Sequence, residues 1–292
     1  MRKALINSLA LAAAAALVVA AAATGARSTP AAADAIPGCS KKSLTLVEDG
    51  VLTFGADNPA FPPWFGGDEK TKPWKVSDPY SGKGYESAVA YAVAQQLGFA
   101  KDEVKWTVVP FNNSYRPGKK AFDAYITQVS YTPERAKAVD FSKSYYFVNQ
   151  AVVARKGTPI AKTRRMATLR LYKLGAQLGT TSYDYIVDHI GVKPLVYDTN
   201  DAAVQALKTG QIDGIVVDLP TAFYVTAVQV EDGVIVGKLP TKGTKERFGM
   251  VLQKGNPLRT CVNKALDRLW RNGTIKQLQQ TYLAKAGAPD LK

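Results

Sequence analysis

The chain has 292 residues, 38 Lys and Arg against 24 Asp and Glu, 46% hydrophobic and 21% charged residues. That is a globular balance with apolar material for one or two cores, and it excludes disorder, collagen and coiled coil. Two cysteines without a C-x-x-C or Cys/His cluster exclude a disulfide-dense scaffold and a structural zinc site, and neither metal nor cofactor is expected.

Residues 1–35 read as a cleaved export signal. Arg2 and Lys3 precede an Ala-rich apolar run to Ala23, and the small-residue stretch ends in Ala33, Asp34, Ala35. The competing reading is a permanent anchor, since the run approaches the roughly 20 residues a span needs; Ala is a weak membrane former, and the cleavage pattern follows. Beyond residue 35 no stretch reaches spanning length, so the mature chain is expected outside the cytoplasm, in the periplasm or at the cell surface. An oxidising compartment then favours joining Cys39 to Cys261, stapling the N-terminal tail to the C-terminal helices. Lipid attachment at Cys39 is the weaker alternative, because "AIPGC" lacks the Leu and small residue of a lipoprotein box; a free buried thiol is the other.

From Leu44 onward strand-like runs alternate with helical ones, the pattern of an α/β protein. Strands are expected at "VLTFGAD", "KWTVVPF", "AYITQVS", "NQAVVARKG", "LGAQLG", "PLVYD", "DGIVVD", "GVIVGK" and "RFGMVLQKG". Helices are expected over Glu86 to Leu97, Asp201 to Thr209, Leu258 to Arg271 and Thr274 to Lys285, closed or split by Gly98, Gly210, Asn272 and Gly273. Nine strands are many for one sheet, so two lobes are expected. Between Asp57 and Glu86 a long connection holds Pro59, Pro62, Pro63, Pro73 and Pro79 with Phe61, Trp64, Phe65, Trp74 and Tyr80. A structureless segment of this length with so many aromatics reads as an ordered wall beside a ligand site, or as a surface flap.

Three segments suggest a binding chemistry. In "ITQVSYTPERAKAVDF", Thr132 is a natural N-cap and Pro133 fits the first helical position. Arg135 in the first turn faces the positive end of the helix dipole, a cost that a bound anion would offset. Ser130 and Arg135 can then converge on a carboxylate. In "LGAQLGTTSYDYIVDHI", Gly179, Thr180, Thr181 and Ser182 form a second such start, or a plain cap. In "GQIDGIVVDLPTA", Asp218 ends a buried strand, as a cap or as a negative charge opposite the two anion sites. A carboxylate grip with an ammonium grip describes an α-amino acid.

At these motifs the chain resembles the bacterial extracellular solute-binding proteins of family 3, the amino-acid receptors of ABC importers. The resemblance runs through "LTFGADNPAFPPWF", "GKGYESAVAYAVAQQLG", "FDAYITQVSYTPERAKAVDFSKSYY", "GAQLGTT", "NDAAVQALKTGQIDGIVVDLP" and "FGMVLQKGNPLRTCVNKALDRLWRNGTIKQLQQTYL". It implies a two-lobed, periplasmic-binding-protein-like α/β fold with two crossover hinge strands and hinge closure on the ligand. It also implies a carboxylate clamp from Arg135, Ser130 and the Thr181 amide, Asp218 as ammonium acceptor, and Phe61 and Phe111 sandwiching the ligand side chain with Trp64 near them. Asp57 falls where members often carry an acid, to touch ligand or cap a turn. Two positions depart from the family pattern. Gln128 stands where Gly is usual and would present its amide to the pocket or turn away; Ala88 replaces the second acid of a motif whose first acid is Glu86. Gln177 holds a position that reads charge in some members. Crossovers are expected near Tyr146 to Val152 and Lys245 to Met250. This divides the chain into a tail over 36–43, lobe I over 44–148 and 247–292, and lobe II over 149–246, with both cysteines in lobe I.

Other chemistry finds little support. His189 is the only histidine and lies mid-helix, where it serves structure. No phosphate loop, dinucleotide fingerprint or zinc-protease motif occurs. The net charge of +14 includes Lys162, Arg164, Arg165, Arg170 and Lys173 without interleaved aromatics; export argues against nucleic acid, and the cluster reads as a solvated face of lobe II or, as the weaker alternative, a patch that docks on an anionic membrane or transporter. The expectation is a monomeric exported receptor, not an enzyme, that captures a free polar amino acid and delivers it to a membrane permease. The alternatives are an exported enzyme of cyclohexadienyl dehydratase type, using Glu86 or Asp57 as proton shuttle, or a ligand-sensing ectodomain.

Overall fold

The computed structural model describes residues 36–283 and 288–292. The expected export signal over 1–35 and Lys285, the expected end of the last helix, lie outside the described residues. The described residues form ten strands: β1 Leu52–Ala56, β2 Val104–Val108, β3 Ala124–Tyr125, β4 Val139–Phe147, β5 Gln150–Arg155, β6 Leu174–Gln177, β7 Leu195–Tyr197, β8 Gly214–Asp218, β9 Gly233–Lys238 and β10 Arg247–Gln253. They make two five-stranded sheets, ordered β2-β1-β3-β10-β4 and β7-β6-β8-β5-β9. In each, four strands share one direction and one, β10 in the first and β5 in the second, runs antiparallel between its two neighbours, so the chain uses one plan twice.

The central strands read as continuous apolar runs because both faces are covered. Every residue of β1 is buried, and Gly55 is required there, since a Cβ would stand 2.9 Å from the Tyr125 ring. In the second sheet, Ala151, Val153, Ile215 and Val217 join one core cluster, while Val152, Ala154 and Val216 join another on the opposite face. The helices are α1 Tyr85–Gln96, α2 Phe111–Ser114, α3 Pro133–Ala138, α4 Thr181–Tyr185, α5 Asn200–Lys208, α6 Leu219–Tyr224, α7 Leu258–Arg271 and α8 Thr274–Tyr282. Residues of α1, α7 and α8 share the first sheet's core, and the Cys39–Cys261 disulfide ties the tail to α7 within it, Cα to Cα 5.6 Å.

The chain passes from β4 in the first sheet to β5 in the second through Val148 and Asn149, and returns from β9 to β10 through residues 239–246. It crosses a third time. Residues 289–292 bond to the second sheet's side, with Lys238 N donating to Pro289 O (2.7 Å), Leu291 N to Lys238 O (2.9 Å) and Met166 N to Lys292 O (2.7 Å). Leu291 is 3% exposed in that core, above Gly237, where a Cβ would collide with it at 2.7 Å. This corrects the assignment of all of 247–292 to lobe I: the last residues add an edge to lobe II, a backbone pairing that carries no periodicity in so short a segment.

Other local expectations also change. β4 was not expected, because Asp140 and Lys143 interrupt its apolar pattern. "KWTVVPF" stops at Val108, and Phe111 opens α2 behind Pro110. "AYITQVS" is a strand only over β3, since Gln128 takes φ +44° and turns the chain out of the sheet. The proline-rich connection does both jobs: Trp64 and Trp74 are each 1% exposed in the first core, while Asn58, Pro59, Phe61 and Phe65 line a cavity.

Candidate functional site

A cavity of about 200 Å³ lies between the two sheets. The first sheet's side contributes Asp57, Asn58, Pro59, Phe61, Phe65, Phe111, Thr127, Gln128, Ser130 and Arg135; the second contributes Gln177, Thr180, Thr181, Ser182, Thr199, Asn200, Asp201, Val217 and Asp218. Strand ends explain the gathering. Asp57 follows β1, Gln177 ends β6 and Asp218 ends β8, at carboxyl ends of strands where open α/β sheets form their crevices.

Arg135 is 9% exposed. Thr132 caps α3 by accepting from Arg135 N at 3.2 Å, which fixes the first turn and aims the side chain along the crevice. The guanidinium donates from Nη1 to Ser130 O (2.6 Å) and from Nη2 to Gly179 O across the lobes (2.7 Å). It lies 4.6 Å from the Tyr115 ring centroid and 5.7 Å from that of Phe111. Burial lowers its pKa, opposed by the negative charges of Asp184 and Glu246 and by Tyr115.

Asp218 stands opposite Gln150 in the β5–β8 register and accepts from its Nε2 at 2.8 Å. Burial raises its carboxyl pKa well above the usual range, and Glu246 adds to this; the Gln150 hydrogen bond and Arg135 pull it the other way. Arg135 and Asp218 line the same cavity. Asp57 also has a raised pKa, chiefly from burial, against backbone hydrogen bonds from Asn58 and Phe111.

Glu246, from the returning crossover, was not foreseen. Its Oε1 accepts from Ser130 Oγ and from Thr181 Oγ1, both at 2.5 Å, and its Oε2 accepts from Gln150 Nε2 at 3.0 Å. The Ser130 hydroxyl therefore meets a carboxylate, but one supplied by the chain itself. Glu246 does not line the cleft cavity; it faces a second cavity of about 500 Å³ bounded by both crossovers, in which Thr181 is a shared wall. The pairing of Val148 N with Glu246 O fixes Glu246 between the crossovers, and no sequence pattern carries that.

The expected aromatics separate. Phe61 and Phe111 line the cavity, and Phe65 joins them. Trp64 does not: it stacks edge-on against Tyr85, Tyr146 and Phe248 and donates from Nε1 to Thr221 Oγ1 in lobe II at 3.0 Å. Gln128 lines the cavity, yet its N–H donates to Glu86 Oε1 (2.7 Å) and its side-chain Nε2 to Glu86 Oε2. Its φ of +44° is the left-handed region that glycine enters freely, which accounts for the glycine usual at this place; here Glu86 holds the turn instead. Glu86 also accepts from Tyr145 OH at 2.5 Å and does not line the cavity. Its burial raises the carboxyl pKa to about 7, against the hydrogen bonds from Tyr145 and Gln128. Asp201, Thr199 and Asn200 line the cavity without having been singled out; they open α5, where Thr199 reads as an ordinary cap. His189 packs on Tyr185, 4.9 Å between centroids. Among the described residues no cluster of metal-ligating side chains occurs.

The profile of the bacterial extracellular solute-binding proteins, family 3, matches residues 64–285. The ABC transporter arginine-binding protein 1 of Escherichia coli K12 is 34% identical over 205 residues, 68% of this chain and 81% of that protein. An ancestral arginine-binding protein bound to arginine superposes with a TM-score of 0.65 at 30% identity, covering 80% of this chain and 99% of the other. An ancestral amino acid-binding protein described as a precursor of cyclohexadienyl dehydratase gives 0.65 at 26%, covering 80% and 96%. With two sheets on one plan, crossovers between them and a cleft at their strand ends, the chain belongs to the bacterial extracellular solute-binding proteins of family 3.

Proposed function

We propose that this chain is an exported receptor that encloses one polar α-amino acid with a cationic side chain and delivers it, as a monomer, to the permease of an ABC importer. The observation that carries the reading is the presence of Arg135 and Asp218, one from each lobe, in the walls of one cavity. Arg135 and the Thr181 amide are assigned to the ligand carboxylate and Asp218 to its ammonium, with Phe61 and Phe111 flanking the side chain. Three carboxylates line the cavity, Asp57, Asp201 and Asp218, against the single guanidinium. A zwitterion matches one of each, and the surplus of Asp57 and Asp201 supports a third, positive group on the ligand. The arginine-binding names of relatives support the same class.

A thermal-shift screen against the twenty amino acids, ornithine and citrulline tests the reading, because a ligand above its Kd raises apparent stability. Basic amino acids are expected to stabilise the protein most. Arg135→Ala is expected to weaken binding by about 2 to 5 kcal/mol, since it leaves charge unpaired in a desolvated site; calorimetry giving parental affinity would refute the assignment. No covalent step is part of the proposal. Of the two candidate proton shuttles, Glu86 is spent on Tyr145 and Gln128 while Asp57 lines the cavity; release of product from arogenate or prephenate would overturn the receptor reading.

A further inference from the structure

Three hydroxyls between the two cavities give their protons to acceptors of the chain itself. Ser130 Oγ and Thr181 Oγ1 each donate to Glu246 Oε1, and Ser182 Oγ donates to Gln150 Oε1 at 2.6 Å. The Gln150 amide cannot be reversed, because its oxygen would then face both Asp218 and Glu246, which now accept from its Nε2. Ser130 Oγ and Thr181 Oγ1 lie 3.3 Å apart, a weaker alternative to the 2.5 Å charge-assisted bonds. A hydroxyl has one proton; once that is given, it can only accept.

Resting on the amino-acid reading above, we propose that Glu246 is a specificity-determining positioning residue. By taking the protons of Ser130 and Thr181, it turns both hydroxyls into acceptors toward the cleft, so they receive the ligand's ammonium and turn a carboxylate away. The ammonium, with three N–H donors, then meets Asp218 and a hydroxyl lone pair. The carboxylate is left to Arg135 and to backbone N–H groups. Ser130 thereby changes sides from the assignment its neighbour Arg135 suggests. Glu246 acts through the two hydroxyls, as its position in the wall of the other cavity requires.

The test compares L-arginine with 5-guanidinopentanoate, the same molecule without its ammonium, by calorimetry on parent, Glu246→Gln and Glu246→Asp. The parent is expected to favour arginine at least a hundredfold. Glu246→Gln, whose amide can donate to the hydroxyls and turn their protons toward the cleft, is expected to shrink that ratio at least tenfold, with arginine weakened and the deaminated ligand held as well or better. Glu246→Asp, which keeps the acceptor, is expected to restore part of the ratio. A high parental ratio unmoved in Glu246→Gln, or equal weakening of both ligands, overturns this inference alone. A parental ratio near one overturns the amino-acid reading and this inference with it.

Discussion

Asp218→Asn should move stability and binding in opposite directions. Among the described residues Asp218 forms no ion pair, and its one hydrogen-bond donor, Gln150 Nε2, would find an equivalent oxygen in Asn. Because burial and Glu246 raise its pKa in the folded state, its stabilising contribution is fully present below the ordinary value of 3.8 and is lost as pH rises through the raised one. At neutral pH, well above the ordinary value, holding Asp218 in this buried position therefore costs stability, and Asn removes that cost. The gain is expected at about 1 to 3 kcal/mol, or roughly 2 to 4 °C in melting temperature per kcal/mol for a chain of this size. Binding should fall by about 2 to 3 kcal/mol, the lower part of the range for a desolvated charge partner because the Asn oxygen still accepts; that is roughly thirty- to 150-fold. Melting curves without ligand at pH 7.5 and 4.5, with calorimetry on arginine, check both arms. The stability gap should narrow at the lower pH. A variant that melts lower than the parent at pH 7.5 while keeping its affinity would refute the assignment of Asp218 as a charge held ready for an ammonium.

Glu86 should impose a second pH dependence. Its pKa rises from 4.5 to about 7, so its contribution is complete below about pH 4.5 and fades through pH 7, worth on the order of 3 kcal/mol. Urea denaturation of Glu86→Gln between pH 5 and 8 is expected to give a shallower slope than the parent, and an identical slope would contradict the burial argument. The Cys39–Cys261 link closes a loop with a sequence separation of 222, for which chain entropy sets a ceiling of about 5 kcal/mol. The Cys39→Ser, Cys261→Ser pair is expected to lose about 2 to 5 kcal/mol in urea melts while ligand affinity stays within twofold; a tenfold affinity loss would show coupling to the cleft. Leu291→Ala is expected to cost about 2 to 3 kcal/mol, read by the same melts, and a loss under about 0.5 kcal/mol would mean that the third crossing contributes no packing.

Much of this was written into the order of residues. Alternating apolar runs with Gly, Pro and Asn between them define α/β layers, since backbone polar groups must pair locally while apolar faces must be covered. Thr132, Pro133 and Arg135 mark a helix start with a misplaced cation, and Asp218 marks a charge at a strand end; both signals are local, and the structure places both residues on one cavity. Tertiary structure alone decided the rest. Trp64 and Phe61 are three residues apart in one aromatic loop, yet one fills a core and the other lines the cleft. Glu246 meets Ser130 and Thr181 from 116 and 65 residues away, and Leu291 joins the core of the second sheet, which the chain leaves after β9. Contacts of that kind depend on strand register and crossover path, which arise from packing distant segments together, whereas sequence patterns report only what a residue's neighbours within a few turns demand.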